Sequence, residues 1–134
     1  MAVGISAANL ATPWLNMIKA TAFTAPAATW VELHTADPGA SGTTAVSVGS
    51  TTRLQVTTGN WTSSSAGSAI AMTAAIGPWT NGGTSETISH LAVFSASSAG
   101  TFYWSVALTA SQAWASGNTF TLNTLTVVFT PLAA

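Results

Sequence analysis

Charge is the scarcest property of this 134-residue chain. Lys19, Arg53, Glu32, Asp37 and Glu86 are its charged residues, 4% of the total, where a soluble domain usually carries about 25%. Two cations cannot displace the counterions of a phosphate backbone, so the sequence argues against a nucleic-acid partner. A basic helix lying on a membrane surface is excluded on the same ground. Cysteine is absent, which removes disulfides, thiolate nucleophiles and thiolate metal sites. Long apolar runs are missing too: Ser6, Asn9, Pro13 and Asn16 interrupt the first eighteen residues, so no membrane partner is expected there. With Lys19 as the first charge, the start lacks the basic region of a secretory signal. The expectation is synthesis in the cytoplasm and assembly there.

What the chain does contain is 48% hydrophobic residues and six tryptophans, set among Ser, Thr, Gly and Ala. That content is too apolar for disorder, and the length suits one domain with a real core. A surface whose polarity is uncharged is poorly protected against association. Much of it is therefore expected to lie against partner subunits.

Taken in order, Ile5, Leu10, Trp14, Met17 and Ile18 fall near helical spacing, with Ser6 a suitable N-cap. Pro13 predicts a break, leaving a short helix from Pro13 to Ala20 capped by Thr12. Residues 1–27 are read as a docking segment and 28–134 as the main domain. Thr29 to Thr35 alternates, with Trp30, Glu32 and His34 on one face and Val31 and Leu33 on the other. Asp37-Pro38-Gly39 is a turn, because Asp bonds its own backbone, Pro fixes φ and Gly accepts positive φ. An edge strand at 45–48, a strand at Arg53–Thr58, a turn-rich stretch at Trp61–Gly67 and a strand at Ala69–Ile76 follow. Turn signals at Gly77-Pro78 and Asn81-Gly82-Gly83 bracket Trp79. Glu86–Ser95 alternates again, with Ile88, His90, Ala92 and Phe94 opposite Leu91 and Val93. Ser97–Gly100 turns it back into Thr101–Leu108. A loop at Gln112–Gly117 precedes one or two strands in Thr119–Thr130. Short strands with turns every 8–12 residues predict an all-β fold, an antiparallel β-sandwich (jelly-roll-like or a small barrel) with a short N-terminal helix.

Glu32, His34, Asp37, Glu86 and His90 are the residue types from which a metal or acid–base site is built. A transition-metal site needs three or four such ligands to converge, and His34 would meet His90 only if their two strands paired. No Gly-x-Ser-x-Gly elbow, phosphate loop or dinucleotide fingerprint is present. No catalytic, cofactor-binding or metal residue is assigned, and no cofactor is expected. A metal-dependent hydrolase through His34 and His90 is the weakest of the readings weighed. Of the tryptophans, Trp61, Trp79 and Trp114 fall in loop-like contexts and are expected at the surface, whereas Trp30 and Trp104 are expected in the core. Trp14, Trp61, Trp79 and Trp114 are the candidate interface residues, since exposed Trp anchors interfaces or stacks on sugars.

Leu33-His34-Thr35-Ala36-Asp37-Pro38-Gly39-Ala40-Ser41-Gly42-Thr43, Thr52-Arg53, Ser89-His90-Leu91-Ala92-Val93-Phe94-Ser95-Ala96, Ala99-Gly100-Thr101-Phe102 and Ala107-Leu108-Thr109-Ala110 together resemble a group of small tailed-phage virion proteins. These are described as tail-fibre-like, minor tail or capsid decoration proteins, often of actinobacterial hosts. The family commonly has an aromatic–acidic pair where this chain has Phe94-Ser95. The resemblance implies a non-enzymatic virion component present in many copies, expected as a homotrimer that also contacts other virion proteins such as the major capsid protein. With neither heptads nor shaft repeats to reach outward, a capsid decoration role is preferred. The alternative is a tail-fibre-like or minor tail protein that binds host-surface carbohydrate.

Overall fold

In a computed structural model the described residues are 3–62 and 69–128. Four strands, β1 (Thr29–His34), β2 (Leu54–Val56), β5 (Glu86–Phe94) and β6 (Phe102–Trp114), form one antiparallel sheet in the order β2-β1-β5-β6. Two antiparallel pairs provide the second layer: β3 (Ala69–Ala71) with β8 (Thr126–Val128), and β4 (Ile76–Thr80) with β7 (Thr119–Leu122). The sheets stay open, so the expected all-β sandwich is found and no barrel closes among the described residues.

Alternation explains the core. Val31 and Leu33 of β1, Leu91 and Val93 of β5 and Val56 of β2 turn inward, where Met72, Ile76, Trp79, Trp114, Leu122 and Leu125 meet them. Burying each such aliphatic side chain contributes about 1.5–3 kcal/mol relative to leaving it in water. Ile88 breaks the expected alternation. It joins Leu91 and Val93 in the core beside a register shift that sets His90 against Ala107 but Ile88 against Gln112. On the other face Ala92, Phe94 and Phe102 form a small second cluster.

Several boundaries differ from those predicted. Pro13 does not break the N-terminal helix. A π-helical turn at Ala7–Ala11, capped by the Ser6 hydroxyl, runs directly into α1 (Thr12–Met17) with Pro13 in its first turn. The wider turn, with Ala11 N–H reaching the Ser6 carbonyl, accommodates the ring where the proline donor is missing. The strand expected at 45–48 shrinks to one bridge between His34 and Val46. Ala69–Ile76 is divided between β3 and β4, and β6 continues through Gln112–Trp114, where a loop was expected. Much of the stretch Trp61–Gly67 and the end of the last predicted strand lie outside the described residues.

The N-terminal segment is tied to β6 by backbone. Ser6 N–H donates to Tyr103 O (2.6 Å), Ser105 N–H donates to Gly4 O (2.9 Å) and Asn9 Nδ2 donates to Phe102 O (2.9 Å).

Candidate functional site

β1 and β5 pair in the register that brings Glu32 opposite Ala92 and His34 opposite His90. The two histidines are therefore neighbours, as a metal reading would need, but their rings serve different contacts. His34 is fully buried; its Nδ1 lies 2.8 Å from the Thr44 carbonyl oxygen and its Nε2 lies 3.4 Å from Glu32 Oε2. The second contact is long for a hydrogen bond. His90 Nδ1 sits 2.8 Å from the Ser89 hydroxyl, which donates to Thr35 O at 2.7 Å. Among the described residues no three His, Asp or Glu side chains converge as metal ligands would.

Glu32 is the centre of a clasp. Arg53 donates to both of its oxygens, Nε to Oε1 at 3.2 Å and Nη2 to Oε2 at 3.3 Å. The same guanidinium donates from Nη1 to the carbonyls of Ala99 (2.6 Å) and Ala96 (3.3 Å) and lies 3.4 Å over the Phe94 ring. One planar side chain thus ties β1 to the β5–β6 turn, using its fork for the carboxylate and its face for the aromatic ring. Burial acts to raise the Glu32 pKa, but the polar contacts of His34 and Arg53 and their charges outweigh it. The carboxyl is held below the ordinary carboxylate range.

The turn after β1 is equally determined. Asp37 Oδ1 accepts from Gly39 N–H at 2.9 Å, closing the Asx turn that the sequence predicts. Gly42 has φ +73°, and a Cβ there would stand 2.3 Å from Phe102 Cδ2. Glycine is required twice over, for its backbone conformation and for the ring pressed on it. Glu86 secures the far end of the loop: it accepts from the Ser47 hydroxyl, from Val48 N–H (3.1 Å) and from Gly49 N–H (3.0 Å). The buried Asn81 fastens the neighbouring turns through Thr84 O, Trp114 O and Gly83 N–H. Four of the five charged side chains are therefore occupied in shaping a turn or in holding loops in place.

The tryptophans divide differently from expectation. Trp79 and Trp114, predicted in surface loops, are core residues on β4 and β6, each 2% exposed. Both pack on Phe120, and their indole N–H groups are satisfied by Thr52 O and Asn118 O. The turn signals around them obscured strands whose aromatic side chains point inward. Trp30 and Trp104, expected in the core, are half-buried.

Trp14 and Trp61 do meet at a surface. Together with Ile5, Leu10, Phe23, Pro26, Ile70, Trp104 and Val127 they line an apolar cleft of about 270 Å3 between the N-terminal segment and the sandwich. Beside it, Leu15, Met17 and Ile18 are 64%, 51% and 85% exposed. Sequence reasoning placed a docking segment here but missed the cleft; the signal was Phe23 and Pro26, apolar residues in a stretch with no strand alternation. It also missed the Glu32–Arg53 pair, although in a chain this short of charge a buried carboxylate has few possible partners. No helix among the described residues is long and apolar enough to cross a membrane.

The chain matches the model of one protein family, described as podophage GP4 fiber I protein gp80, over residues 5–130. No curated protein matches it. The matched span takes in the clasp, the Asx turn, both layers of the sandwich and the docked N-terminal segment. The chain belongs to the podophage GP4 fiber I protein gp80 family, and so to the structural proteins of bacteriophage virions.

Proposed function

We propose that this protein is a non-catalytic subunit of a phage fibre, attached to the particle through its N-terminal segment and exposing the sandwich. The family match carries this reading, because it is to a fibre protein and spans nearly the whole chain. The sequence favoured a capsid decoration role for lack of a shaft repeat, but the match supports the tail-fibre alternative better. The apolar face of α1 and the Trp14–Trp61 cleft are the contact surfaces, with other copies in a homotrimer and with neighbouring virion proteins as occupants. Cyclic symmetry would close such an interface without open growth. The Leu33–Thr43 block, which likens the chain to proteins of actinobacterial phages, serves as architecture here.

Gold-labelled antibody on intact particles tests the placement. Label at the tail is expected, whereas label spread over the capsid would replace this reading with the decoration role. Sedimentation of the purified chain tests the trimer, and a monomer at all concentrations would remove it. Recognition of host-surface glycan has less support. The cleft offers Thr29 and Thr58 as its hydroxyl partners, whereas sugar sites usually combine aromatic platforms with several polar groups. A glycan array with no response to host-envelope sugars would set it aside.

A further inference from the structure

We infer that the N-terminal segment, residues 4–18, is exchanged between copies of this chain, so that in the oligomer it seats on the β6 edge of a neighbour and not on its own. The neighbours are those of the homotrimer proposed above, on which this reading rests. The seat is visible in the single chain. Gly4 and Ser6 flank the bridge from Ile5 to Trp104, with Ser6 N–H donating to Tyr103 O and Ser105 N–H donating to Gly4 O. Asn9 Nδ2 adds a third bond to Phe102 O, and Leu10 is the buried residue of the first helical turn. Strand addition with an apolar anchor reads backbone and pocket, whichever copy supplies the added strand. An identical segment from a second copy makes the same contacts, so exchange costs nothing at the seat itself.

The connector decides which copy supplies it. Thr21 N–H closes the end of α1 on Asn16 O. From there residues 21–28 form neither helix nor strand, and apart from Phe23, Pro26 and Ala28 they are exposed. In the closed chain they join a segment seated on β6 to β1, two strand spacings away in the sheet order, or about 10 Å. Extended, a connector of this length reaches about 28 Å, far enough to leave the molecule. Ala25-Pro26 favours that extended form. Folding back uses Ala20 at φ +58°, a conformation that opposes an L side chain; a chain running straight on through Ala20 sheds that cost. The closed chain also leaves apolar surface uncovered. Leu15, Met17 and Ile18 project from α1 into water, and the cleft of about 270 Å3 stays open between segment and sandwich. Exchange carries α1 to the junction of two copies, where these side chains gain a second surface against them. That burial tilts the balance toward exchange once copies are held close together. Each copy gives one segment and receives one, so a cyclic oligomer closes with every such seat filled.

Because the chain has no cysteine of its own, cross-linking tests the exchange directly. Gly4 faces Ser105 beside the bridge, at the spacing a disulfide spans, and a Cβ at Gly4 would meet nothing within 4 Å. Chains carrying Gly4→Cys alone and Ser105→Cys alone are refolded together from urea and oxidised. Exchange predicts a covalent pair that neither chain gives by itself and that a reductant dissolves. The doubly substituted chain should shift on a non-reducing gel from the monomer to the size of the whole oligomer. The unsubstituted protein gives a second readout that needs no variant to fold. In oligomers mixed from isotope-labelled and unlabelled chains, Ile5 protons of one chain should show Overhauser contacts to the Trp104 ring of another. An oligomer whose disulfides all close within single chains, or whose Ile5–Trp104 contacts all stay within them, would overturn the exchange and leave the fibre reading standing. A monomer at every concentration would remove exchange and trimer together, whereas the antibody label on particles bears on the fibre placement alone.

Discussion

Around β1 the few charges of this chain lie inside, while along α1 its large apolar side chains lie outside. Glu32 is buried and Arg53 nearly so, and together they tie β1 to the residue before β2 and to the turn after β5. Leu15, Met17 and Ile18 do the reverse, leaving apolar surface in water. The first arrangement is tolerable because every buried charge has partners at short range, and an ion pair left half-made is far more costly than one never built. The second leaves about 25 cal/mol of association energy for each Å2 that a partner covers. The contrast assigns the two regions different duties. Polarity inside holds one chain in shape, and apolarity outside is available for joining chains.

Breaking the interior side should have the largest effect. Arg53→Ala strips a buried carboxylate of its ion pair, frees two carbonyls and uncovers Phe94, and should cost about 3–5 kcal/mol in urea-induced unfolding. Gly42→Ala comes next. It forces a Cβ into the Phe102 ring at a positive φ and should lower stability by about 2–4 kcal/mol, read by thermal melting.

Acid sharpens the comparison further. Glu32 has a folded pKa below its ordinary value, so its contribution is complete above the ordinary carboxylate range and is lost as pH falls through the folded value. Denaturation midpoints should therefore drop at the acid end, and less steeply in Glu32→Gln. The smallest change in stability belongs to the exterior: Leu15→Ser with Ile18→Ser should alter unfolding by less than about 0.5 kcal/mol for each site. The same double variant should shift sedimentation toward the monomer. If it unfolds the chain instead, the division between inside and outside duties fails.

Much of this was legible from spacing. The alternation of Thr29–Thr35 and Glu86–Ser95 placed β1 and β5, and Asp37-Pro38-Gly39 was recognisable as a turn. Pairing was not legible, because nothing local to His34 or His90 specifies that their strands adjoin. The same limit hid Arg53 from Glu32, since the fork reaches across the sheet. Trp79 was misplaced for a different reason: Gly77-Pro78 and Asn81-Gly82 are strong turn signals, yet Trp79 and Ile76 bury enough surface to hold β4 extended between them. Pro13 misled because the penalty of proline assumes an α-helical turn, and the turn before it here is π-helical.

One consequence concerns the open side of β6. An edge strand displays unpaired N–H and C=O groups that invite a foreign strand, and proteins usually discourage this with lysine or proline. This chain has almost no charge to spend on such a guard, and its last strand in the sheet order carries neither residue. Its own beginning takes the position instead: the bridge from Ile5 to Trp104, flanked by Gly4 and Ser6, occupies the donors and acceptors at Tyr103 and Ser105. A neighbouring molecule could extend the sheet at that point only by peeling those residues away, so the N-terminus also serves as a built-in stopper against runaway strand addition.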